Sequence, residues 1–317
     1  MNLTSKSDIK ELLEKYNAKP EKYLGQHFIL SKKAIQKMVE TAEITTNDTI
    51  IEVGPGLGTL TKEIAENPAC RQAGGANIIA IEKDPLMINI LKETLSAFKN
   101  IKVTQADARK TPLPPPNLSG FRYRVKRGKD VDKFNKYNNK YGEYKNGYKI
   151  VANLPYNVAT FLIRQWLELN PANDINDGVG IGNPLEMMVL IIQKEVAQRI
   201  IAKPPRSNLL AISVQFYADA RIIDYIKKES FWPKPKVDAA IIKIIPTRLP
   251  APDGAADGGQ EKNFFRIIKA GFSQPRKQLI GNLVRRLNIP KEKIVSVFRD
   301  FDISERVRAE NLSLKQW

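Results

Sequence analysis

Four consecutive residues near the middle of the chain, Asn153-Leu154-Pro155-Tyr156, could bind an amine carried on an aromatic ring. Proline lacks a backbone N–H and favours an extended conformation in the residue before it, so carbonyl groups in this turn can face outward. The Asn153 amide, free carbonyl oxygens and the Tyr156 ring would then share one small site. A flipped-out nucleobase is held by this combination of hydrogen bonds and stacking. An ordinary turn with a tyrosine packed over it fits these residues equally well.

Polar residues also follow three other apolar runs that have the character of buried strands. Gly54 follows residues 49–53, Glu82 follows 78–81 and Asp107 comes just after 101–104, while Asn153 follows 150–152. In open α/β sheets, ligands bind at the carboxyl ends of the strands. We therefore expect these four residues to lie around one ligand site.

The glycine turn Gly54-Pro55-Gly56-Leu57-Gly58 indicates which ligand that site takes. Glycines let a ligand approach the backbone closely. The dinucleotide fingerprint would place its third glycine at Thr59, whereas here it comes one residue early. The turn therefore favours S-adenosylmethionine over NAD, with Glu82 on the ribose hydroxyls and Asp107 on the adenine amino group. An NAD-dependent enzyme stays as an alternative.

Charge and composition limit the classes of partner and ligand that this protein could bind. The chain has 317 residues, with 51 Lys and Arg against 34 Asp and Glu, and its pI of about 9.7 predicts a polyanionic partner, nucleic acid before membrane. One Cys and one His leave no disulfide framework and no Cys/His zinc site, so we expect no metal. No apolar run approaches the ~20 residues that span a bilayer, and we expect a cytoplasmic protein.

The sequence predicts two domains. Residues 1–247 would form an α/β domain with an N-terminal helix and a basic, tyrosine-rich insertion at about 112–148. This insertion could bind RNA or simply be solvated. The Pro- and Gly-rich segment 248–260 is a predicted linker, and residues 261–317 a small helical domain. A proline-stiffened loop at 231–237 presents Phe231 and Trp232, either as a second face for a bound base or as core packing.

Several motifs stand in the order seen in the ribosomal RNA small-subunit adenine dimethyltransferases, the KsgA family, which the chain resembles over almost its whole length. They are Leu24-Gly25-Gln26-His27-Phe28, Glu52-Val53-Gly54-Pro55-Gly56-Leu57-Gly58, Asn153-Leu154-Pro155-Tyr156, Gln193-Lys194-Glu195-Val196, Pro233-Lys234-Pro235-Lys236-Val237-Asp238 and Arg308-Ala309-Glu310-Asn311-Leu312-Ser313.

The resemblance implies a Rossmann-like class I S-adenosylmethionine-dependent methyltransferase with a small α-helical C-terminal domain. It implies transfer of four methyl groups to N6 of two adjacent adenines near the 3′ end of 16S rRNA, with a role in small-subunit biogenesis and a monomeric protein. We assign the target base to Asn153, Leu154, Pro155, Tyr156 and Phe231, the last as a second stacking ring. The cofactor is assigned to His27, Ile29, Gly54, Gly56, Glu82, Asp107, Ala108 and Asn153.

Two other RNA-related functions are alternatives to small-subunit rRNA methylation. One is a large-subunit rRNA adenine N6-methyltransferase of the macrolide-resistance type, which shares the fold and core motifs. The segments 272–277 and 308–313 look more like the housekeeping branch. The other is a non-catalytic ribosome-assembly factor, against which the intact turn at 153–156 argues.

Overall fold

The computed structural model describes residues 1–21, 24–111, 147–168, 185–247 and 259–317. Nearly all of the predicted insertion and most of the predicted linker therefore lie outside the described residues. Tyr148, placed at the end of the insertion by the sequence, instead begins a strand and is 1% exposed.

The strands are β1 (Phe28–Ile29), β2 (Thr49–Val53), β3 (Asn77–Glu82), β4 (Ile101–Gln105), β5 (Tyr148–Asn153), β6 (Leu185–Gln193), β7 (Ala218–Ile226), β8 (Phe231–Trp232) and β9 (Ala239–Pro246). Seven of the described strands form one sheet in the order β4-β3-β2-β5-β6-β9-β7, and β1 and β8 form a separate antiparallel pair. The first five strands in this order are parallel, whereas β9 is antiparallel to both β6 and β7.

The central strands are apolar along their length because helices cover both faces of the sheet. In β2, Ile51 and Val53 pack into the cluster on one face, whereas Ile50 packs into the cluster on the other. This is the pattern expected of parallel strands buried on both sides. From β2 the chain builds outward through β3 and β4, then returns to β5 on the other side of β2. The switch point, where such sheets bind ligands, lies between β2 and β5.

The helices of the first part of the chain are α1 (Lys6–Lys15), α2 (Lys32–Thr41), α3 (Thr59–Glu66), α4 (Pro68–Arg71), α5 (Pro85–Thr94), α6 (Ala159–Glu168), α7 (Lys194–Ile200) and α8 (Leu209–Gln215). Side chains cap several of them: Ser31 accepts from the Ala34 N–H and Asp84 from the Leu86 N–H. Within the described part of the chain, no helix combines the length and apolar character needed to cross a membrane.

The C-terminal part is helical, with α9 (Gly259–Gly271), α10 (Leu279–Leu287) and α11 (Lys291–Asp300). These helices have their own apolar cluster, yet Phe265 and Ile268 of α9 belong to the large cluster of the sheet domain. The Phe264 ring stacks on Phe216 with centroids 4.4 Å apart, and the Tyr217 hydroxyl donates to Glu261 at 2.5 Å. Helix α9 thus joins two cores. The boundary proposed at 248–260 stays a prediction.

A buried ionic group ties the sheet together near the amino ends of β2 and β5. The Lys149 ammonium donates to the Asp48 carboxylate at 2.7 Å and to the Glu43 carbonyl at 2.7 Å. The Lys243 ammonium, whose side chain is 3% exposed, pairs with the Glu43 carboxylate at 2.7 Å. Buried charges are tolerated only when they are paired in this way.

Candidate active site

A cavity of about 270 Å³ opens at the carboxyl ends of the parallel strands, at the predicted switch point. Its walls come from the segment before α2, the glycine turn after β2, and the turns after β3, β4 and β5. Among the residues assigned from the sequence, the cavity is lined by His27, Ile29, Gly54, Gly56, Glu82, Asp107, Ala108, Asn153, Leu154, Pro155 and Tyr156, but not by Phe231.

The glycine turn has the backbone conformation that its composition predicts. Gly54 and Gly56 have φ values of 72° and 57°, in the left-handed region that favours glycine. A Cβ atom at Gly56 would lie only 3.3 Å from the Phe28 ring. The turn therefore needs glycine both for its conformation and for the close approach of the segment that carries His27 and Phe28.

Glu82, at the end of β3, is held in place by backbone N–H groups. Its carboxylate accepts hydrogen bonds from Gly56 at 3.1 Å, Lys83 at 2.7 Å and Asp84 at 2.8 Å. Burial raises the pKa of Glu82 above its ordinary value, and these three donors partly oppose the shift. The side chain is oriented toward the cavity before any ligand arrives.

Asp107 carries a contact that the sequence did not predict. The Arg109 guanidinium binds both carboxylate oxygens, with Nε–Oδ1 at 3.0 Å and a terminal nitrogen 2.6 Å from Oδ2. The Lys83 ammonium lies 3.4 Å from the same Oδ2. The hydrogen bonds from Arg109 hold the pKa of Asp107 well below its usual range. Asp107 is therefore a charged acceptor that any ligand amino group has to share with Arg109.

The Asn153 side chain is fixed by a backbone contact. Its Nδ2 donates to the His27 carbonyl at 3.1 Å. Because a carbonyl oxygen can only accept, this contact assigns the amide orientation and leaves Oδ1 as the acceptor on the other side. Pro155 packs against Gly25, where an added Cβ would lie 3.2 Å from the Pro155 Cβ. The turn at 153–156 thus packs against the segment 25–27.

Tyr156 presents an aromatic ring beside His27. The two ring centroids are 5.7 Å apart with an interplanar angle of 32°. Burial raises the pKa of Tyr156 to about 12, and the negative charges of Glu195 and Asp238 add to the shift. The phenol is therefore neutral at ordinary pH, and its ring is available as an apolar stacking surface.

Phe231, assigned from the sequence as a second stacking ring, is not among the residues that line the cavity. It is 3% exposed and packs in the same apolar cluster as Ile29. Successive side chains of a strand point to opposite sides, so β8 directs Phe231 into the core and Trp232 away from it. Trp232 instead stacks on Phe28, with centroids 6.4 Å apart. Phe231 thus has the core packing that was one of the two uses considered for this loop, and its role as a second stacking ring stays a prediction.

Glu52 lines the cavity and was not singled out from the sequence. It is 1% exposed, and its Oε2 has no hydrogen-bond partner in the structure as described. Burial raises the pKa of Glu52 to about 8; the nearby Thr61 hydroxyl opposes the shift and Glu82 adds to it. A buried carboxyl whose Oε2 has no hydrogen-bond partner, at a cavity wall, fits a cationic ligand. The sequence feature that could have identified Glu52 is that it is the single acidic residue within the apolar run of β2.

Over the described ranges, no group of three or more His, Cys, Asp or Glu side chains is placed to hold a metal ion.

The strand order and a cavity at the switch point define a Rossmann-like protein with the class I methyltransferase fold. The crystal structure of the 23S rRNA methyltransferase ErmE has a TM-score of 0.62, covering 91% of this chain and 96% of that chain at 20% identity. That of a dimethyladenosine transferase from Plasmodium falciparum has a TM-score of 0.63, covering 90% and 93% at 22% identity. At such identities the likeness establishes the fold alone.

Sequence comparison identifies the family. The family model described as ribosomal RNA adenine dimethylase matches residues 17–317. A ribosomal RNA small subunit methyltransferase A of Dehalococcoides mccartyi (strain CBDB1) is 34% identical over 310 residues, covering 97% of this chain and 89% of that protein. One of Clostridium botulinum (strain Okra / Type B1) is 33% identical over 310 residues, covering 97% and 95%. The chain belongs to the ribosomal RNA adenine dimethylase family. The predicted fold class, family and enzyme class are confirmed.

Proposed function

We propose that this protein transfers methyl groups from S-adenosylmethionine to N6 of two adjacent adenines near the 3′ end of 16S rRNA, acting in the cytoplasm as a monomer on the small ribosomal subunit. The observation that carries the proposal is the Asn153 amide, which donates to the His27 carbonyl and leaves Oδ1 as an acceptor, in a cavity that Tyr156 also lines. The relatives named small subunit methyltransferase A, matched over 97% of this chain, support the choice of small-subunit RNA.

The cavity fits S-adenosylmethionine by its chemistry. Glu82 would accept hydrogen bonds from the ribose hydroxyls, and Asp107 and Ala108 would contact the edge of the adenine. The glycine turn allows close approach of the ligand to the backbone. Glu52 supplies a buried carboxyl whose Oε2 has no hydrogen-bond partner, which suits a ligand that carries positive charge. When bound, the cofactor supplies a methyl group on a positively charged sulfur.

The turn at 153–156 would position the target amine. The lone pair of adenine N6 is delocalised into the ring, so the amine is a weak nucleophile. If Asn153 Oδ1 and the Leu154 carbonyl accept its two hydrogens, the nitrogen is held in one orientation, and this positioning supplies most of the rate. No strong base is needed, because the methylated amine loses its proton readily.

The Tyr156 ring would hold the base in the site. Stacking on an aromatic side chain is worth about 1–3 kcal/mol per base, which offsets the cost of extruding the adenine from its helix. The net charge of +17 favours binding of the surrounding RNA through its phosphates.

The test is transfer of labelled methyl from S-adenosylmethionine to small-subunit particles that lack the modification, with the labelled nucleoside identified after digestion. We expect dimethyladenosine at two adjacent positions near the 3′ end, formed about 100-fold more slowly with Asn153→Ala. Label confined to large-subunit RNA would instead favour the macrolide-resistance type. Tight particle binding without label would favour an assembly factor.

A further inference from the structure

Arg109 contacts the Asp107 carboxylate through three separate donors, in the loop that follows β4. Its Nε lies 3.0 Å from Oδ1, and a terminal nitrogen lies 2.6 Å from Oδ2. Its backbone N–H also donates to Oδ1, at 3.1 Å. A carboxylate offers about four lone-pair positions in all. Arg109 alone therefore fills three of them, both positions on Oδ1 and one on Oδ2.

The fourth acceptor position of Asp107, on Oδ2, is held only loosely. The Lys83 ammonium lies 3.4 Å from this oxygen, and its side chain is 50% exposed. This distance is longer than the roughly 2.7–2.9 Å of a charge-assisted hydrogen bond. Asp107, Arg109 and Lys83 all line the cavity. An N–H group of a ligand can therefore replace Lys83 at this position without displacing Arg109.

The backbone of Arg109 is held by contacts that do not involve the carboxylate. The Thr111 N–H donates to the Asp107 carbonyl at 3.1 Å, which closes the turn around Arg109. Gln165 Nε2, on α6, lies 3.4 Å from the Arg109 carbonyl oxygen. The guanidinium thus extends from a tied backbone. Its planar fork orients a carboxylate in two places at once, which the point charge of an ammonium does not.

We propose that Arg109 makes the cavity selective for the 6-amino group of the cofactor's adenine, by leaving Asp107 a single acceptor position that one N–H donor satisfies. Arg109 is then a positioning residue that acts through Asp107. A purine without the amino group would leave this position to the looser contact with Lys83, and an acceptor without a close partner is costly. This inference rests on the proposed function, which places the adenine of S-adenosylmethionine at Asp107.

Equilibrium binding of two ligands measures this selectivity. One is S-adenosylhomocysteine, and the other is its analogue with hydrogen in place of the 6-amino group. The ratio of their dissociation constants isolates the amino group, because the ligands are otherwise identical. We expect the unchanged protein to bind S-adenosylhomocysteine about tenfold more tightly, the size of one hydrogen bond to a charged group. In Arg109→Met the ratio should fall to about twofold, through weaker binding of S-adenosylhomocysteine alone.

Two further variants separate the geometry of the guanidinium from its charge. Arg109→Lys keeps the charge but lacks the planar fork, so its ratio should stay near that of Arg109→Met. Lys110→Met is the control: it removes a positive charge from the next position of the loop, where the side chain is exposed, and should keep the full preference. The analogue should bind all four proteins with similar affinity, which shows that the rest of the cavity is intact.

An unchanged ratio in Arg109→Met would overturn the proposal, because the amino group would then be recognised without Arg109. A ratio that rises would overturn it as well, since Arg109 would then compete with the adenine for Asp107. Full preference in Arg109→Lys would show that charge alone is sufficient and would refute the role of the fork. Failure of the unchanged protein to bind S-adenosylhomocysteine at all would refute the cofactor site of the proposed function, and this inference with it.

Discussion

Replacing Glu52 by Gln should stabilise the ligand-free protein at pH 8 and change its pH dependence of unfolding. Burial raises the pKa of Glu52 from 4.5 to about 8 in the folded protein. Between these values the folded protein holds a proton that the unfolded chain has released. The stabilisation from Glu52 is therefore complete below pH 4.5 and is lost as the pH rises through 8. Gln does not ionise, so the variant escapes this loss.

The two pKa values set the size of the effect. Each pH unit between them costs the unchanged protein about 1.4 kcal/mol of unfolding free energy. Over the whole interval the loss reaches about 5 kcal/mol, an upper value because water can enter the site when the carboxylate forms. Any pH-independent difference in unfolding free energy between the protonated acid and the amide displaces one curve of unfolding free energy against pH from the other. It does not alter how far the two curves diverge as the pH rises.

Urea unfolding of both proteins at several pH values from 5 to 8, without cofactor, measures this divergence. We expect the variant to gain about 1 kcal/mol per pH unit relative to the unchanged protein. Glu11→Gln, at an exposed position on α1, is the control for loss of a carboxyl and should follow the unchanged protein. Parallel curves for Glu52→Gln would show that Glu52 is already ionised in the folded protein, and the argument for its buried neutral form would fail.

Three further substitutions test the site and its supports. Asn153→Ala should lower the single-turnover rate of methyl transfer about 100-fold, because an acceptor that positions the amine is lost; a change below threefold would remove Asn153 from the mechanism. Gly25→Ala should cost about 1–2 kcal/mol in urea unfolding, since φ is +67° and the new Cβ would lie 3.2 Å from Pro155; unchanged stability would mean that the segment relaxes freely. Lys149→Met should cost about 3 kcal/mol by leaving Asp48 buried without its cation; adding Asp48→Asn should recover part of the loss, and no recovery would place the cost in packing.

The grouping of the residues that line the cavity could be predicted from the sequence. Gly54, Glu82, Asp107 and Asn153 each follow an apolar run, and parallel strands bring their carboxyl ends to one edge. The glycine turn is similarly local, because its backbone conformation depends on the residues that form it. Such features need only the periodicity and turn chemistry of short segments.

Contacts between distant segments could not be predicted in this way. Strands β1 and β8 are two residues long and far apart in the chain, so no periodicity reveals their pairing or the burial of Phe231. Strand β7 was also missed. It lies at the edge of the sheet and carries Asp219, Arg221 and Asp224. These charged residues give the segment the composition of a loop. The Arg109–Asp107 pair depends on a choice of side-chain rotamer, which residue type alone does not determine.

Helix α9 has a consequence for evolution and for protein engineering. Its aromatic side chains fit rings of the sheet domain, Phe264 on Phe216 and Phe265 against Tyr217. A C-terminal segment taken from a relative would have to fit the same two rings, Phe216 and Tyr217. In chimaeras joined at the predicted linker, residues 216 and 217 should therefore be exchanged together with α9, because the compatibility of the C-terminal helices depends on this patch of the sheet domain.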